Sequence, residues 1–352
     1  LSTLFSIIYA PYSSGIIDFE SKILAIQFLR YVLFFTLLVK LASKPFMDSA
    51  YILKLFKVQS VMLSFVFTAI LLGYLGVVKV DAWNELIEVD FEGSIIGIGG
   101  MFLYRGGIGT LSTISIPIIY YCFISSKGFY KYLMEFLIFI ILIVVILSGS
   151  RQGTSFSLLS LLLSMFLFNQ NKKAFQIFAV GFVVFFIVMQ NDSIRDTSEW
   201  VLKRYEILLS DKIDLGDEVK NRNFALDFAV KQKKDFFYEI IGYGLGGPIS
   251  PTESDYYNTF SYFGIIGSII YYFFILYCII KIYINRINTK DVIMKNIFSI
   301  PLILSVVIPF YGFQQWYIMT YGSINSMNIY LLLFLFSIAL RNSKSSTNLE
   351  PC

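Results

Sequence analysis

Windows of mainly apolar residues, each long enough to cross a bilayer, recur from one end of the chain to the other. They constrain the fold more than any motif does. They cover about 1–17, 23–43, 58–78, 108–125, 133–148, 152–168, 174–190, 259–283, 297–313 and 322–340. A helix needs about 17 to 25 such residues to span roughly 30 Å of hydrocarbon. Lipid tolerates only backbone whose N–H and C=O groups are satisfied internally. A hydrophobic fraction of 57%, with 15% charged residues and a mean hydropathy of +0.70, is more apolar surface than a soluble core can hide. The expected fold is an all-α integral membrane protein of about ten transmembrane helices. The first window is the weakest of these, being short and containing Pro11.

Orientation follows from the lysines and arginines of short connections, which accumulate on the cytoplasmic side. Lys40, Lys44, Lys54 and Lys57 mark one connection, Lys127 and Lys131 the next, and Lys172 and Lys173 a third. Lys281, Arg286, Lys290 and Lys295 mark a fourth, and Arg341 and Lys344 the tail. All five fall on one side when the windows are threaded alternately. The outer side then receives the acidic connection 81–92, the turn 148–153, the turn 314–316 and the long polar stretch 191–258, which exceeds the loop length over which the charge rule acts. Four regions result: a transmembrane bundle over 1–190, a long extracytoplasmic loop over 191–258, transmembrane helices over 259–341 and a flexible tail over 342–352. The chain opens on Leu1, within an apolar stretch and without a methionine, so a preceding segment is expected.

Within the polar stretch, 200–209 and 221–238 carry helical patterning. Gly242, Gly244, Gly246, Gly247 and Pro248 follow, a run that cannot continue a helix and suits a close backbone approach. It is not a dinucleotide fingerprint, because no strand and helix flank it.

The chain contains no histidine. This excludes histidine base catalysis, HExxH zinc chemistry and a Ser-His-Asp triad. Its three cysteines form no CxxC and no even framework, so neither a disulfide nor a cysteine metal site is expected. The formal net charge of +4 is spread over many connections and points to no nucleic acid.

Chemistry is then left to arginines and carboxylates on the outer side. Arg151 lies in the turn Ser148-Gly149-Ser150-Arg151-Gln152-Gly153, where a guanidinium at the membrane boundary either meets an anion, for which its fork suits phosphate, or snorkels to headgroups. Arg105 opens a span beside Gly106 and Gly107, which either form an anion nest or break a helix. Arg204 and Arg222 lie in the polar stretch, as ligands or as solvated charges. Arg30 lies about eight residues inside its span, roughly 12 Å deep at 1.5 Å per residue, where a charge marks a functional candidate or a structural pair. Glu253, Asp255, Tyr256, Tyr257 and Asn258 precede a span containing Gly264 and Gly267. Carboxylates beside aromatic rings suit a sugar site, although tyrosines also populate interfacial belts.

The order of these landmarks resembles the bacterial O-antigen polymerase family (Wzy-type) and its relatives, the O-antigen ligases. They are the turn Ser150-Arg151-x-Gly153, two further spans, Arg222 in a long outer loop, the turn Gly242-x-Gly244, and Asp255-x-x-Asn258 running into Gly264-x-x-Gly267. The resemblance covers about residues 96 to 285. Ligases of this pattern carry a histidine where this chain has Tyr257, which favours the polymerase. The resemblance implies a GT-C-like glycosyltransferase without cofactor, acting on undecaprenyl-diphosphate-linked glycans at the outer face of the bacterial inner membrane. Membrane lipids, and a chain-length regulator protein, are the partners it implies. In that reading Arg151 and Arg222, backed by Arg105 and Arg30, bind the diphosphate, and Asp255 or Glu253 accepts a proton. A lipid-linked oligosaccharide flippase and a sensor are the competing readings. A flippase predicts charges distributed through several spans and inverted repeats, and neither pattern is visible in the sequence.

Overall fold

The computed structural model describes residues 33–42, 44, 47–74, 95–98, 101–148, 151–168, 240–242, 255–312 and 334–340. These are helical apart from one short hairpin. The helices are α1 (Leu33–Ala42), α2 (Ser49–Tyr74), α3 (Arg105–Ser125), α4 (Gly128–Leu147), α5 (Arg151–Leu167), α6 (Asp255–Asn288), α7 (Val292–Gly312) and α8 (334–339). The strands β1 (Ile95–Ile98) and β2 (Met101–Tyr104) pair antiparallel, Ile95 opposite Tyr104 and Ile98 opposite Met101. Among the described residues four helices are long and apolar enough to cross a membrane, and the protein is membrane-embedded, its described residues helical apart from that hairpin. The windows 1–17 and 174–190 lie outside the described residues.

Several helices start earlier than hydropathy alone implies. Lysines end an apolar window but are good helix formers, so α2 runs back through Lys57 and Lys54 to a cap at Asp48, whose Oδ1 accepts the Tyr51 N–H at 2.7 Å. A side-chain oxygen there satisfies one of the donors that a helix start leaves free. Asp291 does the same for α7, accepting the Ile293 N–H at 2.9 Å.

The core is built around α3, which packs most closely against α5 and α4 and also meets α2 and α7. Its spanning window is 89% buried, against 28% for the corresponding window of α2 and 22% for that of α6. Those two helices turn large apolar side chains outward, including Met62 and Phe65 on α2 and Ile270 and Phe273 on α6. Faces of this kind match hydrocarbon rather than water.

Helices in lipid gain little from apolar burial and associate through small residues and interhelical hydrogen bonds. The α3–α5 seam is made this way. Thr113 Oγ1 and Ser157 Oγ lie 3.3 Å apart, and Ser160 Oγ donates to the Thr113 carbonyl at 2.9 Å. Ser157, Ser160 and Ser164 are all fully buried.

The ends of the helices sort as the lysines predict. Tyr130 on α4 donates to the Lys57 carbonyl on α2 at 2.7 Å, and Tyr121 on α3 donates to the Ile293 carbonyl on α7 at 3.3 Å. Phe168, just past α5, stacks on Tyr121 with ring centroids 5.5 Å apart. Asn285 near the end of α6 donates to the carbonyl of Ala339, the last residue of α8, at 2.7 Å. These contacts gather the starts of α2, α4 and α7 and the ends of α3, α5 and α6 at one end of the bundle. Lys54, Lys57, Lys127, Lys131, Lys290 and Lys295 belong to that end.

Candidate active site

The opposite end holds the first residues of α3 and α5, Arg105 and Arg151, and the kink of α6 at Gly264. Arg105 and Arg151 head the two most closely packed helices, which run parallel, since Thr113 meets Ser160 and, further along both, Tyr121 meets Phe168. Neither helix has an acidic residue in its first turn. The positive ends of the two helix dipoles therefore accompany both arginines, an arrangement that favours phosphate. Arg151 belongs to a helix rather than to the turn the sequence implies. The glycines after Arg105 do not break α3, which runs through Gly106, Gly107 and Gly109. The hairpin β1–β2 leads straight into Arg105; a short run of apolar residues and glycines fits no period well, so the sequence does not announce it.

Asp255, Tyr256, Tyr257 and Asn258 form the first turn of α6, which packs chiefly on α7. They precede the kink at Gly264, on a helix that packs on α7 rather than on the α3–α5 pair. Glu253, Arg222, Arg204 and Arg30 lie outside the described residues, as do the helices expected at 200–209 and 221–238.

The close backbone approach expected of the glycine run occurs at Gly242. It has φ +84° and sits directly against Gly264, where α6 departs from helical geometry at φ 64° and ψ −169°. A Cβ on Gly264 would fall on the Gly242 nitrogen and the Ile240 carbonyl oxygen. Only glycine adopts this backbone region readily, so two separate constraints demand it here. Gly267 is also crowded, since its Cβ would lie 2.6 Å from Phe263 Cβ. The contact joins the end of the long polar stretch to the helix that begins with Asp255. Both glycine runs are visible in the sequence; that they touch is not.

Among the described residues no three His, Cys, Asp or Glu side chains come together. Cys122 and Cys278 are buried and free. No protein-family model matches the chain, and no curated protein matches it either.

Proposed function

We propose that the chain is a polysaccharide polymerase of the O-antigen polymerase type, a glycosyltransferase of about ten spans in the bacterial inner membrane with its site on the periplasmic side. It transfers a growing glycan from undecaprenyl diphosphate to the non-reducing end of a second lipid-linked repeat unit, as in lipopolysaccharide biosynthesis. The observation that carries this reading is the pairing of Arg105 and Arg151 at the heads of two parallel, closely packed helices, at the end remote from the lysines.

In the proposed reaction the acceptor hydroxyl oxygen bonds to the anomeric carbon of the donor. The bond from that carbon to the phosphate oxygen breaks, and the electron pair leaves with the lipid diphosphate. The developing charge calls for fixed cations. Arg151 and Arg222 supply them, with Arg105, Arg30 and Arg204 as further ligands, and no metal is required. Asp255 or Glu253 takes the proton from the attacking hydroxyl, while Tyr256, Tyr257 and Asn258 hold the sugar. The Gly242–Gly264 contact supports the reading by tying the loop that contains Arg222 to the helix that begins with Asp255.

The test is polymerisation by the purified protein from a lipid-linked repeat unit, scored as a ladder of products. A ladder formed in chelator and without ATP is the expected result. Failure to lengthen any glycan, together with movement of the lipid-linked substrate across vesicle membranes, would replace the polymerase by a flippase.

A further inference from the structure

We propose that the α6–α7 hairpin, at the lysine-rich end of the bundle, carries a second binding site, specific for a phosphate group and held by Arg286 with Lys290 and Lys295. Arg286 lies in the last turn of α6 and is half-buried. Its Nε–H donates to Ser299 Oγ on α7 at 2.9 Å. Ser299 is fully buried, and its hydroxyl is itself fixed by donating to the Lys295 carbonyl at 3.1 Å. A guanidinium has five N–H donors in a rigid plane. Tethering Nε orients that plane and leaves the terminal nitrogens, the edge that grips a phosphate through two parallel bonds.

The surroundings are basic on balance, two lysines against one carboxylate. Lys295 is four residues before Ser299, on the same face of α7, and Lys290 lies in the connection; both are exposed. Asp291, the acidic residue of that connection, has its Oδ1 engaged by the Ile293 N–H. A half-buried arginine at a membrane boundary is costly without an anion, and the described residues of the hairpin offer it a neutral hydroxyl. Phosphate chemistry has two sources here, the headgroup of an anionic lipid or a soluble phosphate. The site lies at the end opposite Arg105 and Arg151 and stands whether or not the chain is a polymerase.

The experiment follows thermal unfolding of the delipidated full chain in neutral detergent, titrated separately with phosphatidylglycerol, phosphatidylcholine and sodium phosphate, at constant ionic strength. Phosphatidylglycerol is expected to raise the unfolding midpoint where phosphatidylcholine does not. A rise with sodium phosphate as well would assign a soluble phosphate ligand, and no rise with either phosphate source would overturn the site. Arg286→Gln is expected to weaken binding about tenfold, the worth of a charge-assisted hydrogen bond. Ser299→Ala, which keeps the charge but frees the guanidinium, is expected to weaken it severalfold. Lys54→Gln removes one exposed charge from the same end and is expected to change nothing. Equal weakening by Lys54→Gln would show a diffuse surface potential and overturn the proposal, as would unaltered binding in Arg286→Gln. Should Arg286→Gln fail to fold, Ser299→Ala and Lys295→Gln decide, and unaltered binding in both overturns it.

Discussion

The Ser160 hydroxyl donates to the Thr113 carbonyl at 2.9 Å, and that carbonyl is the one Pro117 leaves without its helical donor. Proline has no N–H, and its ring crowds the carbonyl four residues before it. Pro117 lies inside α3, at the most buried part of the bundle, where no water can take the place of the missing bond. The neighbouring helix provides it, as membrane helices with internal prolines require. Ser160→Ala is expected to destabilise the protein by about 1 kcal/mol, within the range measured for hydrogen bonds between membrane helices. In a Pro117→Ala background the backbone N–H restored at that position supplies the bond, and the cost of Ser160→Ala is expected to fall towards zero. Unfolding of the four proteins in detergent closes the cycle. Equal costs in both backgrounds would sink the coupling.

This pair shows what the sequence allows to be read and what it withholds. The helices of the core were legible because lipid imposes length and hydropathy on each span separately, and the lysines legislate the side of each connection. Partnership between helices was not legible. Serines and threonines fill α3 and α5 without a period that says which hydroxyl meets which carbonyl, and Ser160 and Thr113 stand far apart in the chain. That Arg105 and Arg151 stand at the end opposite the lysines followed from parity alone. That Gly242 would meet Gly264 did not, because a close approach marks one partner as small and leaves the other unnamed.

Gly264 and Gly128 make a matched comparison. Both have positive φ, 64° and 62°, but a Cβ on Gly128 meets nothing within 4 Å, whereas on Gly264 it falls on backbone from Ile240 and Gly242. Gly128→Ala is therefore expected to cost about 1 kcal/mol, the strain of a left-handed alanine. Gly264→Ala adds a clash with backbone that cannot rotate away, so it is expected to cost at least about 3 kcal/mol or to abolish folded yield. Thermal unfolding of both variants in the same detergent makes the test, and equal losses would mean that the Gly242 contact carries no weight.

The arginines of the proposed site are expected to be required for chemistry and not for folding. Arg151→Ala and Arg222→Ala should abolish polymer while leaving the folded protein in the membrane. Arg105→Ala and Arg30→Ala should have smaller effects. Lysine at 151 or 222 is expected to restore only part of the activity, since a point charge does not reproduce a two-donor fork. Full activity in both lysine variants would count against bidentate phosphate binding. Polymer yield and length distribution, read beside membrane abundance, separate the two outcomes.

Removal of the carboxylates tests the proposed base. Asp255→Ala and Glu253→Ala, singly and together, are expected to reduce polymer, with the larger loss from whichever residue accepts the proton. General base catalysis contributes typically about 100- to 10,000-fold, so the loss should greatly exceed any change in protein level. Unchanged chain length and yield in the double variant would remove both residues from the mechanism.

The sidedness of the whole arrangement is open to direct labelling. Tyr74 ends α2 at the end remote from the lysines, whereas Lys127 joins α3 to α4 and Lys290 joins α6 to α7 at the lysine-rich end. Cys122 and Cys278 are buried and give little background, so Cys352→Ser prepares the chain for single-cysteine probes. In intact cells a membrane-impermeant maleimide is expected to label Tyr74→Cys and to reach Lys127→Cys and Lys290→Cys only after lysis. The decisive comparison is between the two lysine positions. The end of α5 and the Gly264 kink of α6 lie at opposite ends of the bundle, and the apolar window 174–190 is the segment the sequence expects to cross between them. Were Lys127→Cys and Lys290→Cys labelled from opposite faces, that crossing would be absent. Asp255 would then stand on a different side from Arg105 and Arg151, and no single site could use all three.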